Sequence, residues 1–354
     1  MMNTFGVRKP LRILTYIGHG TDKAVYLRGR VLLENKVRKP NRTDKVWTNI
    51  KNMYRRFESD EIPYAQVQAT LGSATQTAQC DEEGFFEVVL APDEGIPRDA
   101  FWQSVQVMVV DTPIHTLDTS DAKVDARVIV PPADAQFAVI SDLDDTVMKT
   151  DAIHLLKMLR NTILGNAYTR LPFDGVATFY QALQRGTHQT HNPIFYVSSS
   201  PWNLYDMIVD FYRIRQIPQG PIFLRDIGIT QHAIGGQGHM DHKLTYINTL
   251  IQRYPALPFI LIGDSGQKDV KVYKKALEQN RGRIPAIYIR DVNNNDRRQA
   301  EIEAVAREVR ALGGEMLLVK DTWQAAEHAA ANGFIDTAYL AQIRADCQAD
   351  SPPT

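Results

Sequence analysis

Residues 139–147 read VISDLDDTV, and the reading of this stretch decides the fold of most of the chain. The apolar run Phe137-Ala138-Val139-Ile140 drives straight into Asp142, Asp144, Asp145 and Thr146. A short apolar run of this kind reads as a buried strand, here with acids clustered at its carboxyl end. Two carboxylates about 4 Å apart repel by roughly 4 kcal/mol at an effective dielectric of about 20. A cation relieves that conflict. Oxygen-only ligands at a strand end suit Mg²⁺, which takes one or two carboxylates together with a substrate phosphate. A solvated acidic turn, or a helix cap supplied by Asp or Thr, accounts for an isolated Asp-x-Asp equally well. The weight therefore falls on what the rest of the chain repeats.

Downstream, apolar runs recur at 194–197, 221–224, 258–262, 284–289 and 315–319. Helical patterns lie between them, near 151–164, 174–185, 202–215, 241–253, 267–280, 296–312 and 322–331. Such alternation predicts an α/β fold: a parallel sheet covered on both faces, with its chemistry at the carboxyl ends of the strands. Upstream the pattern differs. Leu11–Ile17, Ala24–Leu33, Tyr64–Leu71, Phe101–Val110 and Lys123–Val130 read as strands. Thr75–Cys80, the turn Asp81-Glu82-Glu83-Gly84 and Phe85–Leu90 read as a hairpin. Short strands broken by turn signals predict an all-β, sandwich-like domain over residues 1–133, with Pro131-Pro132-Ala133 as the boundary to a second domain at 134–354. One helix, 44–59, interrupts the strands. Its Trp47, Ile50, Met53 and Phe57 fit packing on the β domain better than a seat on an anionic membrane.

The near-neutral total charge hides an asymmetry. Residues 1–60 carry 14 Lys/Arg against 5 Asp/Glu, and the remainder 26 against 36. The first module can therefore face an anionic partner. Cys80 and Cys347 stand far apart in no metal-like spacing, which fits a reducing cytoplasm. No signal-peptide pattern opens the chain and no window suits a membrane span, so any contact with membranes is peripheral. No nucleic-acid partner is expected.

Three later segments match the first acidic strand end. The run Pro193–Val197 finishes at Ser198-Ser199-Ser200, where a hydroxyl can donate to a phosphate oxygen; a plain loop and helix cap fits too. The run 258–262 enters Gly263-Asp264-Ser265-Gly266, with Asp269 a helical turn later, a pattern shared by metal ligands and by a capping turn. Lys243 opens a helix in MDHKLTYI, where a lysine can neutralise a phosphate or simply face solvent.

Asp-x-Asp-x-Thr, Ser, Lys and Gly-Asp-x-x-x-x-Asp follow in this order, each on its own strand–helix unit. The set resembles the haloacid dehalogenase superfamily of phosphotransferases. More narrowly, DLDDTV, YVSSSPWNLY, FLRDIG, HK and LIGDSGQKDVKVY resemble the actin-patch type of Mg²⁺-dependent phosphatidate phosphatase and its bacterial relatives. The likeness runs over 134–345 and extends weakly into the β-rich part. It implies that Asp142 is the nucleophile of an aspartyl-phosphate mechanism and that Asp144 moves the proton. It also implies that Asp142, the main-chain carbonyl of Asp144, and Asp264 hold Mg²⁺. Ser198 and Lys243 would bind phosphoryl oxygens, and Asp269 would orient Lys243 or a metal-bound water from behind. Asp145 and Thr146 would fix the loop.

Little room is left for a large cap domain, so an open site for a large or surface-bound substrate is expected. Ser199, Trp202 and Arg225 are candidates for substrate contact. Core packing for Trp202, and an ion pair with Asp226 for Arg225, are the alternatives. His232, His239 and His242 fit no common zinc spacing. The leading expectation is an Mg²⁺-dependent phosphomonoesterase acting on phosphatidate or a similar lipid phosphate at a membrane surface. The alternatives are a phosphatase of a soluble metabolite, nucleotide end or phosphoprotein, and a lipid- or protein-binding scaffold with vestigial catalysis. The presence of all six motif residues weighs against the last.

Overall fold

The computed structural model describes residues 9–33, 61–114, 117–119, 122–143, 175–225, 236–266, 268–292 and 295–349. The expected helices at 44–59 and 151–164 lie outside these residues, as do parts of the segments that bear on a cap, 144–174 and 226–235. So do Asp144, Asp145 and Thr146. The chain divides into two compact units, Met1–Pro131 and Pro132–Thr354.

The first unit is a nine-stranded sheet. Its strands are β1 (Lys9–Thr15), β2 (Gly18–Gly20), β3 (Val25–Leu33), β4 (Gln66–Leu71), β5 (Ala74–Gln79), β6 (Phe85–Leu90), β7 (Trp102–Asp111), β8 (Leu117–Asp118) and β9 (Lys123–Ile129). The hydrogen-bonded order is β5-β4-β7-β9-β2-β3-β1-β8, with β6 paired to β3. Inward residues from both ends of this order, among them Val25, Val67, Val88, Val107 and Val128, meet in one buried core. The alternation of apolar and polar residues along β7 follows from that one-sided burial.

The expected hairpin between β5 and β6 does not form. β5 pairs with β4 across the two-residue loop Gly72-Ser73, and β6 pairs antiparallel with β3. The turn between them is anchored elsewhere. Asp81 accepts the amides of Glu83 and Phe85 on its Oδ1, at 2.9 and 2.8 Å. Gly84, at φ +77°, accepts the Val31 amide on its carbonyl at 2.9 Å. Arg30 donates from Nε to the Glu83 carbonyl at 2.7 Å. The turn is thus tied to β3, and it hands the chain to a different part of the sheet. β2 and β8 are only three and two residues long and leave no readable period.

The second unit is a six-stranded parallel sheet. It comprises β10 (Ala138–Asp142), β11 (Ile194–Pro201), β12 (Ile222–Arg225), β13 (Phe259–Asp264), β14 (Ala286–Arg290) and β15 (Glu315–Val319). Their order is β12-β11-β10-β13-β14-β15. The helices are α1 (Val176–Arg185), α2 (Tyr205–Ile214), α3 (Gly236–Arg253), α4 (Asp269–Gln279), α5 (Asp296–Ala311), α6 (Thr322–Ala331) and α7 (Tyr339–Ala349). Helix α1 packs with α6 and α7, while α4 packs with α3 and α5, giving two helical groups. Every residue of β10 and β13 is buried, as expected of central parallel strands covered on both faces.

Strand order places the site. From β10 the chain builds outward through β11 to β12, then returns to the other side of β10 with β13 and continues outward. The reversal falls between β10 and β13, the topological switch point at whose carboxyl end open α/β sheets form their crevice. Asp142 and Asp264 are the last residues of those two strands. Asn192 fixes the entry to β10. It is fully buried, accepts the amides of Gln136 and Phe137 on its Oδ1 at 2.8 and 3.3 Å, and donates to the Leu183 carbonyl at 3.0 Å.

Candidate active site

Four charged side chains meet at the switch point with almost no solvent contact. Relative exposure is 1% for Asp142, 0% for Asp264, 1% for Asp269 and 4% for Lys243. Lys243 Nζ lies 2.8 Å from Asp142 Oδ1 and 2.7 Å from Asp269 Oδ1. One carboxylate oxygen from each of Asp142, Asp264 and Asp269 lies within 4.8 Å of the others. Asp269 Oδ2 also accepts the Asp264 amide at 3.3 Å, and Asp264 Oδ1 accepts the Gly266 amide at 2.6 Å. Ionised groups are rarely buried without partners, because desolvation costs several kcal/mol per ion by order of magnitude. Lys243, Asp142 and Asp269 satisfy that condition by binding one another, and the Asp264 carboxylate accepts a backbone amide.

The local sequence explains the close approach. Gly263 stands where β13 passes the start of α4. A Cβ at this position would lie 2.7 Å from Asp269 Oδ2 and 2.8 Å from the Tyr273 ring. Only a glycine lets the first turn of α4 come near enough for Asp269 to reach Lys243. Gly263→Ala is expected to lower stability by about 1–3 kcal/mol through overpacking, read as a reduced denaturant midpoint with an unchanged m-value. An unshifted midpoint would mean that α4 adjusts without cost.

Lys243 sits about two turns inside α3, which begins at Gly236, and not at the helix opening as its sequence setting implies. It is no solvent-facing lysine. Burial by itself pushes its pKa down. The Asp142 carboxylate and then that of Asp269 outweigh burial and hold Lys243 well above the ordinary lysine value. A raised cation pKa contributes stability that is fully present below the unfolded value and is lost only as pH rises through the folded one. Lys243 is therefore charged throughout the neutral range.

The serine segment departs from expectation. β11 does not stop at Val197 but continues to Pro201, with a register shift between these two residues against β12. Within that irregularity the Ser200 amide donates to Ser198 Oγ at 2.9 Å. Ser198 is fully buried and Ser199 half-buried, one and two residues past the Asp142–Val197 register pair. Trp202 is buried, with its ring centroid 6.2 Å from that of Tyr205. Arg225, half-buried, ends the edge strand β12, two strands from β10. His242 lies edge-on to Tyr246 at 4.9 Å. His232, and the side chain of His239, lie outside the described residues.

The loop after β13 is held from the other side. The Ser265 amide donates to the Arg290 carbonyl at 2.8 Å, its Oγ accepts the Val292 amide at 3.0 Å, and Arg298 donates from Nε to its carbonyl at 3.0 Å. Sequence reading did not give Ser265 this supporting part. The Asp-Ser-Gly turn was its only signal.

Residues 137–291 match the family model described as phosphatidate phosphatase APP1, catalytic domain. The chain is 31% identical over 159 residues to phosphatidate phosphatase APP1 of Saccharomyces cerevisiae, covering 44% of this chain and 26% of that protein. It is 29% identical over 157 residues to an uncharacterized protein of Schizosaccharomyces pombe, covering 44% of this chain and 25% of that one. The chain thus spans about a quarter of the length of these relatives. A carbohydrate acetylesterase from Xanthomonas citri aligns over 83% of this chain and 72% of that one, at 11% identity, with a TM-score of 0.26, too low to bear on the fold. Among the described residues, no helix is long and apolar enough to cross a membrane.

Proposed function

From the match of residues 137–291 to the family model described as phosphatidate phosphatase APP1, catalytic domain, we propose that this chain is an Mg²⁺-dependent phosphomonoesterase whose substrate is phosphatidate or a closely related lipid phosphate. The reading places a haloacid-dehalogenase-like domain at 134–354 behind a sandwich-like β domain at 1–133, in a cytoplasmic protein that meets membranes peripherally.

The observation that carries the proposal is the buried array of Asp142, Lys243, Asp269 and Asp264 at the carboxyl ends of β10 and β13. The donors are hard oxygens, and three carboxylates against one ammonium leave an excess of negative charge when ionised. Both features fit Mg²⁺, held by Asp142 and Asp264 with Asp144 completing the set. A bound Mg²⁺ would supply charge neutralisation, bringing an anionic phosphate to an anionic nucleophile.

The remaining chemistry belongs to the chain. Asp142 attacks phosphorus in line and forms an aspartyl-phosphate while the ester oxygen departs. Asp144 protonates that oxygen and then takes a proton from the water that frees phosphate. Lys243 stabilises the charge spread over the phosphoryl oxygens. Asp269 holds Lys243 in position, as the 2.7 Å contact supports. Ser198 offers a further donor, and Ser199, Trp202 and Arg225 contribute toward the substrate side.

Phosphate release from phosphatidate in mixed micelles is expected to require Mg²⁺, to stop with EDTA, and to follow the surface concentration of the lipid. A panel containing soluble phosphate esters separates the substrate from the chemistry. Turnover of soluble esters with no response to lipid surface concentration would overturn the lipid assignment alone. Undiminished activity in EDTA would overturn the metal-dependent mechanism.

A further inference from the structure

We infer that Tyr180 and Ser141 form a positioning relay that sets the orientation of Asp142; the inference rests on the nucleophilic role proposed above for that residue. Asp142 ends β10. It pairs with Val197 of β11, whereas the ladder to β13 closes one residue earlier, at Ser141–Ile262. The carbonyl of Asp142 thus stands beyond the last rung toward β13. Ser141 Oγ donates to it at 2.7 Å. Tyr180 Oη lies 2.7 Å from the same Ser141 Oγ.

The proton order follows. A serine hydroxyl has one hydrogen, and here it is directed at the Asp142 carbonyl. Tyr180 must then donate to Ser141. The chain Tyr180 O–H to Ser141 O–H to Asp142 C=O runs in one direction, and each bond polarises the next. Burial pushes the Tyr180 pKa upward, with the Ser141 hydrogen bond acting more weakly in the opposite direction, so the phenol keeps the proton it donates.

The anchor is rigid. Tyr180 is 2% exposed and Ser141 fully buried. The Tyr180 ring lies parallel to Tyr196 of β11 at 6.5 Å and edge-on to Phe179 at 6.2 Å. It reaches the strand end from α1, whereas Lys243 approaches Asp142 from α3, in the other helical group. The peptide following Asp142 and its carboxylate are thereby held from two helices. The relay touches no substrate atom, so Tyr180 and Ser141 are positioning residues.

The test is a double-mutant cycle of Tyr180→Phe and Ser141→Ala on the full chain, with Ser141→Thr as the hydroxyl-keeping variant. Turnover of p-nitrophenyl phosphate, thermal midpoints and a crystal structure of Tyr180→Phe are the readouts. Each single variant is expected to lower kcat by about tenfold with KM little changed. The double variant should lose no more than the worse single, and Ser141→Thr should retain most activity. The Tyr180→Phe structure should show the Asp142 carboxylate displaced from Lys243. Wild-type kcat in both single variants, multiplicative losses, or an undisturbed Asp142 in that structure would overturn the relay. The crystallographic arm needs no turnover. If the wild-type protein hydrolyses no phosphate ester, the functional proposal fails, while the position of Asp142 still decides the relay.

Discussion

Asp142→Asn is expected to lower phosphate release by a factor on the order of 10⁴ or more, with the fold retained. The substitution keeps the shape of the side chain but removes the negative oxygen that attacks phosphorus. It also leaves Lys243 with one anionic partner, Asp269 at 2.7 Å, so the buried ammonium is not stranded. Circular dichroism and the denaturation midpoint should stay near wild type while kcat collapses. Residual activity within tenfold of wild type would show that another group attacks, and the assignment of the strand-end acid would fall with it.

Lys243→Met is expected to act on stability as strongly as on catalysis. The ammonium forms ion pairs with both Asp142 and Asp269, each almost fully buried. Removing it leaves like charges facing each other in a medium that solvates them poorly. Breaking a buried ion pair by deleting one partner costs about 3–5 kcal/mol. In EDTA, urea unfolding should therefore move to markedly lower midpoints. Without the lysine, the two buried carboxylates repel each other and open a stability deficit. Added Mg²⁺ should narrow it. A variant as stable as wild type at neutral pH in EDTA would mean that the acids do not need this cation.

Much of the site was legible because its signals are local. An apolar run that ends in acids states its own electrostatic problem, and Gly263-Asp264 repeats the pattern on the neighbouring strand. The six apolar runs of the second unit fall on its six strands. What the sequence does not carry is which strand lies beside which. The turn Asp81–Gly84 looks like a hairpin, yet the carbonyls of Glu83 and Gly84 are bonded to Arg30 and Val31 of β3, far away in the chain. Gly72-Ser73, the actual hairpin loop, is a weaker signal than the acidic turn nearby. Lys243 reads as an ordinary helix-surface lysine, because nothing within its helix reveals the two carboxylates that converge on it from β10 and α4. Ser141 lies inside the most informative stretch of the chain, but its partner Tyr180 comes from a helix 39 residues on. Helix α7 carries only a faint apolar period in YLAQIRADCQA and left no expectation of a helix.

The most direct measurement is chemical trapping of the proposed aspartyl-phosphate. Borohydride added during steady turnover of phosphatidate with Mg²⁺ reduces an acyl phosphate to an alcohol, converting the attacked aspartate to homoserine. Peptide mass spectrometry is predicted to find homoserine at position 142, absent when substrate is omitted or EDTA is added. Rapid phosphate release with Asp142 unmodified under the same quench, or with the modification at another aspartate, would contradict the account.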